Sequence, residues 1–549
     1  MQLVMMTVLP ALTSTTRPTP QTRRISPVTA TGVVLGLAGA LLVCGLLDHA
    51  RFSPTFTLSF IAPASLLSLW GAALCWLAPR TGRTLNVVVS VRPQHYIQAL
   101  TQVVFLLYWG WFWRPVYDMV WLITAQLIFA YAFELLFCWS RQHTYHLGFG
   151  PFPVIFSINL FLWFERDWFY LQFLLVALGF AVKALIRWKH RGRLVHIFNP
   201  SSFPLAVFSL ALILTGTSDL TWGQDIATTQ FYPPHVYLVL FLIGLPGQLL
   251  FGVTSMTMSA VVVTYLCGLL YYGITGVYFF YDSYIPIAVF LGMHLLFTDP
   301  STAPRTELGR ICFGALYGLS TMVLYALLLR AGVPPFYDKL LQVPLLNLSI
   351  RLLDRLAAAK WLRTITPVSS SSALRPRQRH LAYVMAWLLV FSVLSATHSV
   401  GDHHPGQFIP FWQQACRAER PHACAYLTNT QLRLCRAGSG WACNEAGIRQ
   451  TSSSRLAQPS SDFNGAGGLF DRGCALGFTP ACQNQAPLAR SQETRRVPTS
   501  GPPTLDDYPI LLRGTKRPIT TQAPDVLFAL ACRQGWPDTC GTGTRPAPN

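Results

Sequence analysis

The sequence predicts an all-α fold: a polytopic membrane block of about thirteen transmembrane helices, followed by a small domain of helical-hairpin repeats. Three observations carry that reading. The chain is 52% apolar and only 11% charged, with a mean hydropathy of +0.39, a composition typical of polytopic membrane proteins. Its basic residues cluster in alternate loops between the apolar runs, as the positive-inside rule requires. Its last 150 or so residues break with that pattern and hold eight of the thirteen cysteines.

Residues 1–28 read as a disordered cytoplasmic tail. Pro and Thr interrupt residues 9–22, no cleavable signal stands out, and Arg23-Arg24 precede the first long apolar run, which acts as its own signal. Runs long enough to cross a bilayer then fall at Thr29–Leu47, Phe56–Leu77, Ile97–Trp113, Val116–Trp139, Pro151–Phe164, Trp168–Ile186, Phe203–Thr217, Val236–Val253, Met258–Gly276, Tyr278–Phe297, Ile311–Leu329, Leu340–Leu353 and Leu381–Ala396. The runs at Pro151, Phe203 and Leu340 are the short ones. The domains read as a membrane block over 29–355, a basic cytoplasmic linker over 356–380, an extra helix over 381–397 and an extracytoplasmic tail over 398–549.

A net charge of +19 on a soluble chain would point to nucleic acid. Here it reads as topology, with no nucleic-acid partner. With the N-terminus inside, the inner loops hold Arg80, Arg83, Arg92, Arg141, Arg187, Lys189, Arg191, Arg193, Arg305, Arg310 and the basic stretch Arg355–Arg379. The outer loops hold Arg114, Glu165-Arg166-Asp167, Asp219 and Asp225. Thirteen crossings place the tail outside. The expected location is the bacterial inner membrane, with a cytoplasmic N-terminus, a periplasmic tail and lipid as the first partner.

The tail cysteines form four pairs at one spacing: Cys416/Cys424, Cys435/Cys443, Cys474/Cys482 and Cys532/Cys540. Three pairs carry Gly three residues after the first cysteine (Gly438, Gly477, Gly535), and Glu419 stands at that place in the first. A Gly there ends a helix with positive φ, so that two cysteines eight apart meet across the turn of a helical hairpin. Two zinc sites are the competing reading, but such sites favour close C-x2-4-C pairs and the tail has none. The pattern resembles the cysteine-rich Sel-type repeats of secreted bacterial proteins. That resemblance implies that each pair is a disulfide, as an oxidising compartment allows; a protein partner for the tail belongs to the scaffold reading below. Cys44, Cys75, Cys138, Cys267 and Cys312 lie scattered through the apolar runs as small core residues.

Two polar breaks interrupt the membrane block: His196-Ile-Phe-Asn-Pro-Ser-Ser-Phe203, and Phe297-Thr-Asp-Pro-Ser-Thr-Ala-Pro-Arg-Thr-Glu-Leu-Gly-Arg310 followed by Phe313-Gly-Ala-Leu-Tyr-Gly318. Irregular backbone at membrane depth is tolerated only where protein or a cavity satisfies it, which makes both breaks candidate sites. Glu134 lies deep in an apolar run, as a functional carboxylate or one satisfied by a neighbouring helix. His294 reads as a packing residue, and no second histidine at membrane depth offers haem ligation. The hydroxyl-rich Thr254–Ser259 reads as a turn that also lets helices approach closely. The Trp and Tyr of 108–113 and 271–284 read as interfacial belts. No P-loop, dinucleotide fingerprint, nucleophile elbow or H-E-x-x-H motif is present.

Over roughly Val91–Arg355, the two breaks, Gly309-Arg310, Phe313-Gly-x-x-x-Gly318 and Leu345-Leu-Asn-Leu-Ser-Ile-Arg-Leu-Leu-Asp354-Arg355 resemble the NqrB/RnfD family, most of all its UnbU-like divergent branch. Members are membrane subunits of Na+-translocating NADH:quinone reductases and Rnf-type electron-transport complexes. The resemblance implies FMN or quinone held between helices around Asn199-Pro200 and Asp299-Pro300, electron transfer, other membrane subunits as partners, and possible coupling to cation movement. It also implies FMN esterified to a Thr of a short motif in the outer loop. That loop reads Thr221-Trp-Gly-Gln-Asp-Ile-Ala-Thr-Thr-Gln-Phe231, so Thr228 is the expected attachment point and Thr229 the next. Ile226 stands where the motif has Gly. Two other readings remain: a transporter without redox chemistry that uses the broken helices, and an envelope scaffold with a docking tail.

Overall fold

The computed structural model describes residues 22–47, 53–190, 192–359, 376–400, 404–407, 409–436, 439–452, 465–478, 481–482 and 484. Each of the thirteen apolar runs contains a helix. Six are long and apolar enough to cross a membrane: Pro27–Leu47, Pro54–Thr81, Val120–Ser140, Thr254–Thr275, Glu307–Arg330 and the last, within Pro376–Ala396. Tyr170–Leu185, Ser202–Thr215 and Val236–Phe251 are shorter apolar helices. Pro93–Phe112 carries His95, Gln98, Thr101 and Gln102, which dilute its apolar surface.

Two runs are helical over only part of their length. Pro151–Asn159 stops after nine residues, and Leu160–Phe164 continues as buried irregular chain ending in a bridge from Phe164 to Thr221. Tyr278–Phe297 is helical only from Ile287, and its second half, Gly292–Leu296, is a π-helical turn. Thr254–Ser259 is not a turn. It is the start of the Thr254–Thr275 helix, and the chain reverses at Gly252, whose φ of 64° suits a residue without Cβ.

The small strands were not expected. Arg23–Ile25 pairs antiparallel with Leu85–Val89, which pairs parallel with Tyr145–Leu147. Arg187–His190 and Arg193–His196 form a hairpin turning at Gly192, φ 79°. This hairpin delivers His196 to the first polar break.

Helix order repeats along the chain. Helices 93–112, 120–140, 151–159, 170–185 and 202–215 are followed by 236–251, 254–275, 287–296, 307–330 and 342–357, with the short broken helix third in both sets. Neighbours repeat as well. The second packs on the fourth and the fourth on the fifth in each half, and 93–112 packs on 236–251 as 202–215 does on 342–357.

Helices 254–275 and 307–330 approach each other closely. A Cβ on Gly314 would lie 2.1 Å from Met256 O, and one on Gly318 2.8 Å from Ala260 O. Without a hydrophobic drive between helices in lipid, this approach of small residues supplies packing. Ser259 Oγ donates to Ile311 O at 2.7 Å, and Ser255 Oγ donates to Glu307. Thr306 caps the second helix by accepting from Gly309 N–H.

The tail forms helices Ile409–Arg417, Ala423–Arg436, Gly440–Ser452 and Gly465–Ala475. Disulfides join Cys416–Cys424, Cys435–Cys443 and Cys474–Cys482 across the turns between helices, with Cα atoms 4.6–4.7 Å apart. Gly477 has φ 81°, and Glu419 adopts φ 54° where glycine is missing. Gly438, Gly535 and the pair Cys532/Cys540 lie outside the described residues. The first hairpin packs on the membrane block at residues 276–286. Val277 and Trp412 are buried together, Tyr281 stacks on Tyr426 at 6.0 Å, and Gln407 Nε2 donates to Asp282 O at 2.8 Å.

Gly314→Val forces the two helices apart and is expected to destabilise the protein by about 1–3 kcal/mol. Gly36→Val, where a Cβ meets nothing within 4 Å, should be neutral. Thermal unfolding of the purified proteins in detergent measures both. Non-reducing peptide mapping should recover the three described disulfides and Cys532–Cys540; scrambled links there would remove the repeat as the basis of the tail.

Candidate functional site

The two polar breaks meet. In each, an Asx-Pro-Ser turn is closed by its own side chain: Asn199 Oδ1 accepts from Ser201 N–H and Asp299 Oδ1 from Ser301 N–H, both at 2.9 Å. Asn199 Oδ1 also accepts from Ser202 N–H, which satisfies a free donor at the head of the Ser202–Thr215 helix. Asn199 Nδ2 donates to Leu296 O at 3.0 Å, and His196 Nε2 lies 3.4 Å from Asp299 Oδ2. Burial works against the Asp299 charge, but His196 and Ser301 more than offset it and hold the carboxyl below its ordinary range.

The last core helix ties both breaks together. Asn347 Oδ1 accepts from Asn199 N–H, and Asn347 Nδ2 donates to Thr302 O. About two turns later, Asp354 accepts from the N–H groups of Arg305 and Thr306 and from Thr306 Oγ1 at 2.7 Å. The Asn and Asp of the 345–355 stretch therefore hold the Asp-Pro loop in shape.

Asn199, Pro200 and Asp299 line a cavity of about 70 Å³ together with His95, Gln98, Lys183 and His196. Lys183 also reaches Glu134 at 3.0 Å, so the intramembrane carboxylate of the sequence is one half of an ion pair between neighbouring helices.

Thr228 is elsewhere. Together with Phe231, Tyr232, Phe280, Tyr281 and Phe336 it lines a cavity of about 270 Å³, which also reaches the buried pair Asp338 and Lys339, 3.4 Å apart. Burial pushes Asp338 up to about 6 although Lys339 opposes this, and burial lowers Lys339 against the pull of Asp338. The residues 221–231 form no open loop: Gly223–Thr229 is a helix. Thr228 Oγ1 donates only to Gln224 O, at 2.9 Å within that helix, whereas Thr229 is buried and absent from the cavity wall. Ile226 is buried as well, so it does not obstruct the cavity. Thr228 and the Asx-Pro residues thus line two different cavities.

A third set of residues escaped the sequence reading. Gln126, Asn159 and Gln172 form a fully buried amide network. Gln172 donates to Leu162 O and accepts from Phe164 N–H, and Gln230 Nε2 donates to Leu160 O. These amides satisfy the carbonyls of Leu160 and Leu162 and the N–H of Phe164 in the irregular chain after helix 151–159. Scattered glutamines in apolar runs form no motif, so only the buried stretch itself reveals them. Among the described residues no group of three or more His, Cys, Asp or Glu could hold a metal ion. Comparison of the chain with known protein families, with curated proteins and with solved structures finds no match.

Asn199→Asp keeps the turn but loses the Nδ2 donor and sets a carboxylate against Leu296 O. It is expected to destabilise the protein as much as Asn199→Ala, by about 1–3 kcal/mol. Thermal unfolding compares them; an unchanged Asn199→Asp would remove the link between the breaks.

Proposed function

We propose that this protein is the membrane subunit of an electron-transport assembly of the NqrB/RnfD kind, and that it holds FMN or a quinone in the aromatic cavity beside Thr228. One observation carries the reading: a reachable Thr hydroxyl opens on a cavity walled by Phe and Tyr rings with a buried Asp–Lys pair in its wall. The residues fit the group. Aromatic faces accept a planar ring, Thr228 offers an unhindered Oγ1 for a phosphoester, and Lys339 supplies the one cation on the described cavity wall. FMN, when bound, supplies one- and two-electron chemistry.

This chain's own residues orient the ring, exclude water and hold a proton. Asp338, with its carboxyl raised to about 6, exchanges a proton near neutrality. Lys339 favours negative charge on a neighbouring ring edge. Phe336 fills the space left by Gly223, where a Cβ would lie 2.2 Å from its ring, and so fixes one wall. The topology that goes with this function has thirteen crossings, the N-terminus inside and the tail outside. A transporter without redox chemistry is the second reading, favoured by the repeated order of helices with the broken one third in each half.

Protein co-expressed with a flavin-transferring enzyme should be yellow, and after denaturation its gel band should fluoresce. Thr228→Ala should abolish the fluorescence, and Thr229→Ala should keep it. Yellow native protein with a dark band means non-covalent flavin. Colourless protein that binds no quinone analogue overturns the electron-transport reading in favour of the transporter. Export-dependent reporters fused after Asn549 should be active; activity only in the cytoplasm overturns the topology.

A further inference from the structure

His294 lies in the π-helical turn Gly292–Leu296 and is 2% exposed. Single π turns inside helices concentrate at functional positions. Its Nδ1 is 2.7 Å from Phe290 O, so Nδ1 carries the proton and Nε2 presents a lone pair. Nε2 has no partner in the described chain. Beside it stands Gln248, also 2% exposed, with neither amide atom partnered. The two side chains come together over Gly244: a Cβ there would lie 3.3 Å from His294 Cδ2 and 3.4 Å from Gln248 Nε2. With Gln98, Thr101 and Thr298 they line a cavity of about 20 Å³.

Leaving three such atoms bare in an apolar interior is costly. A direct bond from Gln248 Nε2 to His294 Nε2 would still orphan Gln248 Oε1. One molecule that donates two hydrogen bonds and accepts one satisfies all three. The volume is enough for a single water-sized species, for which roughly 10–15 Å³ is needed. No charged group lines this cavity. Helix 93–112 contributes Gln98 and Thr101, helix 236–251 Gln248, the segment 295–298 contributes Leu295 and Thr298, and helix 376–396 brings the Trp387 ring to 6.1 Å. The occupant is therefore neutral.

Gln98 also lines the 70 Å³ cavity of His196, Lys183 and Asp299, where His95 Nδ1 is a further buried atom without a partner. The two polar spaces share this one side chain. We propose that His294 and Gln248 bind one neutral, water-sized hydrogen-bond donor, and that this site is the inner end of a hydrated path running past Gln98 from the cavity of the Asp-Pro and Asn-Pro loops. The path gives the interior of the helix bundle a proton-exchanging contact with one aqueous face. Water and ammonia share the required chemistry, and the experiment separates them.

The test is water-edited solid-state NMR of the full-length protein in lipid bilayers, labelled with 15N-histidine and 15N-glutamine, with His294→Phe identifying the His294 signal. Polarisation from water should reach His294 Nε2, and Gln98→Leu should slow that transfer at least tenfold. A saturable shift of the signal on adding ammonium chloride identifies ammonia as the occupant, and its absence identifies water. Transfer to Nε2 from the Gln248 amide protons, with none from water in the unmodified protein, overturns the site. Transfer unchanged in folded Gln98→Leu overturns the path.

Discussion

Every backbone N–H and C=O in an apolar bundle has to find its partner inside the chain. Wherever a helix stops short here, side chains take over that task. Asn199 and Asp299 close their own turns, Asn347 and Asp354 bind the loops from a third helix, and Gln172 and Gln230 cover the carbonyls of Leu162 and Leu160. Trp163 Nε1 donates back to Asn159 O, and Trp222 N–H reaches Trp163 O. The breaks are therefore fixed structures, and the cavities beside them are fixed as well.

The same constraint explains why the tail matters to the membrane block. Residues 276–286 are largely irregular and lie between two helices, yet Phe280, Tyr281, Asp282 and Ser283 form one side of the aromatic cavity. The tail holds them. Gly406 approaches Tyr281 O so closely that a Cβ would lie 1.9 Å from it, and Tyr278 packs its ring against His404 at 4.2 Å and Phe411 at 5.2 Å. The Cys416–Cys424 disulfide fixes the hairpin that carries these contacts. A domain that reads in sequence as a separate docking surface spends one face on its own membrane block.

What was legible follows from what leaves a local signature. Apolar runs, the equal cysteine spacing and the Asx-Pro-Ser turns each encode their structure within a few residues, and each run does contain a helix. Glu134 was visible as an oddity, but its partner Lys183 lies 49 residues away, beyond any local pattern. Leu160-Phe-Leu-Trp-Phe164 gave no warning of a broken helix, because its composition is as apolar as that of a span. The separation of Thr228 from Asn199 was equally hidden. Both flank the same short helix, and the family resemblance implies flavin at each. The Gly223–Thr229 helix instead turns Thr228 towards residues 280–289 and 335–339.

The two cavities differ in chemistry as well as place. The larger is walled by rings and holds one buried ion pair, so it suits a planar ligand whose edge both donates and accepts hydrogen bonds. The smaller is lined by His95, Gln98, Lys183, His196 and Asp299, polar and charged groups that suit water and protons. In the buried chain of 160–164, the side-chain amides of Gln230 and Gln172 satisfy the carbonyls of Leu160 and Leu162 and the N–H of Phe164, and Trp222 N–H satisfies Trp163 O. A continuous water file across the bundle would have to displace those amides, at a cost of about 1–3 kcal/mol for every group left bare. The two cavities therefore offer different surroundings, rings and one ion pair in the larger, polar and charged side chains in the smaller.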